Sequence, residues 1–196
     1  MRALLEKIRE LTWPSTWYGW RLTAQSWWYT RDKSQFAFLG VLFSIMLLVP
    51  AGIYVLVNHA EASKNTEREL ACLARNIYHE ARGEPLAGQY AVAEVTLNRV
   101  ASSRFPDTIC EVVFEQRWDR IRKRHVGAFS WTELDKRYQS DSQAFKDARK
   151  IAGEVYHKQV EPRVDDALFY HATYIHPSWA RTKHKVASIG RHIFYK

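Results

Sequence analysis

The chain has 196 residues, room for one domain of ordinary size plus an extra segment. Its formal net charge is +8, which suits an anionic surface, but no nucleic-acid-binding motif accompanies the charge, so nucleic acid is not an expected partner. Two cysteines are too few for a disulfide scaffold and their spacing fits no zinc motif, while eight Trp suit a membrane interface or a sugar-binding surface.

Residues 1–35 form a Trp-rich tail. Trp13, Trp17 and Trp20 recur at i, i+4 and i+7, which places them on one helical face, with Trp27 and Trp28 further on. An interfacial helix on the inner leaflet is the first reading and a partner-binding helix the second, and Pro14 could interrupt either. Residues 36–57 (FAFLGVLFSIMLLVPAGIYVLV) are uncharged and show no polar stripe, as expected of one transmembrane helix that tolerates Pro50 and Gly52. Ala60-Glu61-Ala62 has the look of a leader cleavage site, but the apolar run is too long for a leader and an uncleaved anchor fits better. Arg2, Lys7, Arg9, Arg21, Arg31 and Lys33 precede the span, against Lys64 and Arg68 after it. That bias predicts a cytoplasmic N-terminus, a single pass through the inner membrane and a C-terminal domain outside the cytoplasm.

A polar linker is expected over residues 58–66, followed by a domain over 67–196. Thr66-Glu67-Arg68-Glu69 has the form of a capping box, opening a helix with Leu70, Leu73, Ile77 and Glu80 on one face that stops near Gly83 and Pro85. A second helix is expected from about Ala87 to Val100, and a short one capped by Asp107 and running through Val113. Residues 117–138 read as a basic surface loop. A helix then starts at Asp141 or Ser142, with Ala144, Phe145, Ala148, Ile151, Ala152, Val155 and Tyr156 as its apolar stripe. Ala167–His171 and Ile189–Tyr195 are short and aromatic-rich, as strands are. The fold class is therefore mostly α (α+β), with a small β-hairpin or sheet behind one transmembrane helix.

Glu80 stands out on physical grounds. The helical spacing puts its carboxylate on the apolar face at the end of its helix, where low polarity favours the protonated form a general acid needs. The plainer reading is a salt bridge to Arg75 or Arg82. The histidines show no HExxH-like spacing, so no metal or other cofactor is expected. Cys72 and Cys110 read equally well as one bridge or as two buried thiols.

The stretch Asn76–Pro85 (NIYHEARGEP) resembles the signature of the SleB-like cell wall hydrolase family. Gly88–Val95, Leu97–Val100, Phe105–Cys110, Phe129–Trp131, Ala167–Ala172, Pro177–Ala180 and Ile189–Tyr195 are similar to it too, in order, across about residues 70–196. The resemblance implies a lysozyme-like catalytic domain that cuts peptidoglycan glycan strands between N-acetylmuramic acid and N-acetylglucosamine, with Glu80 as the acid. Cysteines at 72 and 110 match family positions and imply a disulfide between them. A second cysteine pair and a Gln found in many relatives around the Phe-Ser motif are missing, since Gly127 and Ala128 precede Phe129. Glu84, Ser130, Tyr170, His171 and Trp179 are the candidate substrate-binding residues, Glu84 with Arg82 as a possible partner. The resemblance favours lytic transglycosylase chemistry over two-carboxylate hydrolysis, and the lack of a second carboxylate as well placed as Glu80 agrees with it. An amidase acting on the stem peptide, or a non-catalytic glycan-binding envelope protein, are the alternatives.

Overall fold

The structure, a computed structural model, describes residues 14–30, 33–120, 122–133 and 140–196. It divides into two units, Met1–Asn58 and His59–Lys196. In the first, Pro14 opens helix α1 (Pro14–Thr30), a position where its missing N–H costs nothing. Of the expected Trp face, Trp13 and the side chain of Trp17 lie outside the described residues, and Trp20 is exposed. Trp27 and Trp28 each approach Phe36, at the start of the next helix, with ring centroids 6.2 Å away.

Helix α2 (Ser34–Ala81) has 48 residues. Its apolar first part holds a window of mean hydropathy 2.4, none of it buried, so by length and composition it could cross a bilayer. The linker expected over residues 58–66 is helical instead. Ala60, Glu61, Ala62 and Lys64 are sound helix formers, and no Gly or Pro interrupts them. Thr66, expected to cap a new helix, lies inside α2 and returns its hydroxyl to the carbonyl of Ala62 at 3.0 Å.

The second unit packs the end of α2 against α3 (Leu86–Val100), α4 (Ile109–Val113) and α6 (Gln143–Tyr156), with the single turn α5 (Ser130–Glu133) beside them. Leu73 and Ile77 of α2, Ala93 of α3, Val113 of α4 and Ile151 and Ala152 of α6 share one core. Thr108, rather than Asp107, caps α4 by accepting from the Glu111 N–H, and Ser142 caps α6 by accepting from Phe145. Cys72 and Cys110 are joined as a disulfide, tying α2 to α4. Beside that bond, Glu69 Oε2 accepts the N–H groups of Ile109 and Cys110 at 2.6 and 3.1 Å, satisfying donors that α4 cannot use internally.

The basic stretch read as a loop contains an antiparallel hairpin, β1 (Gln116–Asp119) with β2 (Arg124–Gly127). A three-stranded antiparallel sheet closes the chain, in the order β3 (Phe169–Ala172), β5 (His192–Tyr195), β4 (Lys185–Ile189). The single strand expected over 189–195 is thus the turn and second arm of a hairpin. Gly190, at φ +57°, makes the turn. Strand alternation divides the side chains. Tyr170, His192 and Phe194 share one face, on which Phe194 packs against Ala91, Val92 and Val95 of α3. Phe169, His171 and Tyr195 share the other, where Trp179 of a 3-10 turn (Ser178–Thr182) lies against all three.

Candidate active site

Glu80 sits in the last turn of α2, half-buried, one turn beyond the fully buried Ile77. Tyr170 reaches it from β3, and its hydroxyl donates to Glu80 Oε2 at 3.2 Å. Packing fixes the phenol, with the His192 ring edge-on at 5.3 Å and the Phe194 ring at 5.7 Å. Burial first, and then the Glu80 carboxylate, push the Tyr170 hydroxyl well above its ordinary value, so it stays a proton donor in the bond.

Arg99, in the last turn of α3, completes the cluster. Its Nε donates to the Leu168 carbonyl at 2.9 Å, and its guanidinium lies 5.3 and 5.4 Å from the ring centres of Phe105 and Phe129. Burial draws its pKa down, as does the nearby Arg117, while Tyr170, Glu115 and Glu80 act in the opposite sense. Glu115 is itself taken by Arg117 through two hydrogen bonds, at 2.7 and 3.0 Å. The arrangement is a carboxyl group held by a neutral phenol, with a desolvated cation within electrostatic reach.

Glu84 lies one turn further along the sequence and is held differently. It does not pair with Arg82, whose guanidinium lies over the Tyr78 ring. Arg191 donates its backbone N–H to Glu84 Oε2 at 2.8 Å and its Nε to Oε1 at 2.7 Å. Gly190 makes this possible, because a Cβ there would collide with Oε2 of Glu84. Burial alone would raise the Glu84 pKa, but the two Arg191 hydrogen bonds and the charges of His192 and Arg191 outweigh it and hold the carboxyl below its ordinary range. The His192 imidazole is lowered by burial, against the pull of Glu84, whose Oε2 is 3.8 Å from its Nδ1.

The other expected residues separate. Ser130 is exposed at the start of α5. Its neighbour Trp131 turns inward, donates its indole N–H to Asn76 Oδ1 at 3.3 Å and stacks on His79 at 4.4 Å. His171 is adjacent to Tyr170 in the chain, yet strand alternation carries it to the opposite face with Trp179. There its Nε2 meets the Tyr195 hydroxyl at 3.0 Å. The structure therefore brings Glu80 and Tyr170 together and sets His171 and Trp179 apart from them. Arg75, the other cation considered for Glu80, lies over the rings of Phe114 and Trp131. Sequence reasoning missed Arg99 and Asn76. The signal was present for both: polar side chains on the inward faces of otherwise apolar helices. Among the described residues, no group of three or more His, Cys, Asp or Glu side chains is placed to hold a metal ion.

The family model for cell wall hydrolases matches residues 83–195, more than half of the chain. The chain belongs to the cell wall hydrolase family. The match begins just after Glu80 and takes in Glu84, Arg99, Tyr170 and Arg191. Within this family, the chain is 30% identical over 131 residues to the spore cortex-lytic enzyme of Bacillus cereus, covering 67% of this chain and 45% of that protein. It is 31% identical to the enzyme of the same name from Oceanobacillus iheyensis, covering 67% and 42%. It thus spans less than half the length of these curated relatives. The crystal structure of the catalytic domain of the Bacillus cereus SleB protein superposes with a TM-score of 0.53 at 31% identity, covering 66% of this chain and 91% of that domain. The catalytic domain of the germination-specific lytic transglycosylase SleB from Bacillus anthracis gives 0.51 at 32% identity, covering 65% and 93%. Mostly helical architecture with small sheets is common ground between this chain and those domains.

Proposed function

We propose that the protein cleaves the glycan strands of peptidoglycan between N-acetylmuramic acid and N-acetylglucosamine, as a lytic transglycosylase with Glu80 as its single acid and base. The observation that carries this reading is the hydrogen bond from Tyr170 to Glu80 at the end of α2, set beside a Glu84 that Arg191 has already claimed. A two-carboxylate glycosidase needs a second carboxylate about 5–9.5 Å from the first, able to reach the substrate or a water. Glu84 is bound through both oxygens by Arg191, and Glu115 likewise by Arg117. Substrate-assisted chemistry removes the need for a second carboxylate.

Glu80 gives its proton to the glycosidic oxygen as the bond from that oxygen to C1 of the muramic acid breaks. The C6 hydroxyl oxygen of the same sugar bonds to C1, and the Glu80 carboxylate takes the proton this hydroxyl releases. The products are a free N-acetylglucosamine end and a 1,6-anhydro-muramyl end. No water is consumed, and Glu80 ends as it began. Tyr170 holds one carboxylate oxygen in register throughout, and Arg99 favours the carboxylate formed midway. Glu84 serves as a positioning residue that pins the β4–β5 turn. Ser130, His171 and Trp179 remain proposed contacts for more distant parts of the substrate.

The apolar stretch 36–57 supports an anchor in the inner membrane, with residues 1–35 cytoplasmic and the catalytic unit outside the cytoplasm. An amidase using a cysteine nucleophile is disfavoured, because both cysteines are spent in the disulfide. The test uses full-length protein in detergent on purified sacculi, comparing wild type with Glu80→Gln and weighing the released muropeptides by mass spectrometry. Anhydro-muramyl products from the wild type alone are expected. Freed stem peptides would mean an amidase. Equal turbidity loss for both proteins would remove Glu80 from its assigned place.

A further inference from the structure

On the side of the terminal sheet away from Glu80, a recess of about 440 Å³ lies between the 3-10 turn and the strands. That volume is in the range of small-molecule and peptide-residue pockets. Pro177, Ala180 and Ile193 supply apolar wall, and Arg181 and His176 supply positive or proton-donating edge. No carboxylate or carboxamide lines it; its side-chain hydroxyls are those of Ser178 and of Tyr195, the latter already engaged by His171. His171 lines it too, but its two ring nitrogens are already engaged by the Ala172 carbonyl and the Tyr195 hydroxyl, so it acts as wall. Arg181 is exposed and forms no ion pair with any described residue, which leaves a guanidinium fork available for a carboxylate.

We infer that this recess seats the stem peptide hanging from the glycan that Glu80 cleaves, with Arg181 and His176 receiving a peptide carboxylate and the apolar wall receiving alanine methyl groups. The inference rests on the glycan-cleaving reading. Its geometry comes from β3, an edge strand of the sheet, in which Tyr170 and His171 face opposite ways. A chain leaving the Tyr170 side has one strand to round before it meets the recess. An extended peptide of three to five residues reaches roughly 10–18 Å, against a strand spacing of about 4.8 Å, so it is long enough to round one strand. The chemistry matches as well, since stem peptides are short, alanine-rich and acidic.

The experiment measures cleavage by the full chain in detergent on two substrates: glycan strands bearing intact stem peptides, and the same strands stripped of them by an amidase. Arg181→Gln is expected to raise KM on the intact strands roughly fivefold with kcat unchanged, to leave the stripped strands unaffected, and to be partly rescued by Arg181→Lys. An unchanged KM on intact strands, or an equal change on both substrates, overturns the inference. A titration with free stem tetrapeptide separates this outcome from failure of the glycan reading. If neither substrate is cut, the glycan reading falls, and the recess is still decided by the titration. Tetrapeptide binding to wild type that is weakened in Arg181→Gln upholds it, and absence of binding to wild type overturns it.

Discussion

The two halves of α2 make an instructive pair. Residues 36–57 are apolar on every side and leave large side chains open, with Phe38 64%, Met46 72% and Leu56 70% exposed. Residues 70–81 confine their apolar side chains to a stripe, and Leu73, Ala74 and Ile77 are wholly buried. The same backbone geometry serves both. What differs is the pattern: the first has the length and composition to cross a bilayer, and the second has the single apolar stripe of a helix packed on a protein core. Glu80 belongs to the second kind, placed where the stripe ends and the protein surface begins.

This contrast can be broken or sharpened at four points. The largest effect is expected at the chemical end, where Glu80→Gln should lower the rate on sacculi by about 10²–10⁴-fold with little change in melting temperature. A comparable loss of folding would make Glu80 part of the core instead. Next comes the tie between α2 and α4. Cys72→Ser should destabilise the unit by about 4 kcal/mol, the chain-entropy value for a bond spanning 38 residues, as read from denaturant unfolding. In the first half, Leu47→Arg should oppose membrane insertion by about 3 kcal/mol. It should move protein from the carbonate-resistant to the extractable fraction, and an unchanged distribution would sink the lipid reading of this half.

The smallest effect is at Glu84. Glu84→Gln should lower stability by about 2 kcal/mol near pH 7, the scale of lost hydrogen bonds to a charged group. The carboxyl is held below its ordinary 4.5, so its contribution is present above that value and fades as pH falls through the lowered folded value. His192 adds a separate acid sensitivity. Its imidazole lies below 6.5 in the folded state, so stability is full above 6.5 and declines as pH drops toward the lowered value. Acid unfolding curves should therefore show both steps in wild type, with the lower one lost in Glu84→Gln and the upper one deepened, because the Glu84 charge no longer holds the His192 value up.

Periodicity made much of this legible. The stripe of α6 and the apolar run of 36–57 were plain because many residues repeat one message. Glu80 stood out because its charge breaks such a stripe. Features fixed by remote partners were hidden: Glu84 meets Arg191 at a separation of 107 residues, and only the turn at Gly190 brings them together. The β1–β2 hairpin was missed because Gln116–Asp119 and Arg124–Gly127 bury neither face well, so no alternation betrays them. The linker over 58–66 was drawn from polarity, yet polarity without Gly or Pro does not stop a helix already under way. Tyr170 and His171 are neighbours in sequence, and a strand's two-residue repeat sends them to opposite faces.

The Cys72–Cys110 bond has a consequence for where the protein can be itself. Domains of this size hold only about 5–15 kcal/mol in reserve, so one cross-link of this span is a sizeable part of the whole. In glutathione-rich surroundings the thiols stay apart and the second unit is left poorly consolidated. An oxidising compartment would let the bond close and firm up the unit. Under the placement proposed above, outside the cytoplasm, closure of the bond would couple consolidation of the second unit to export.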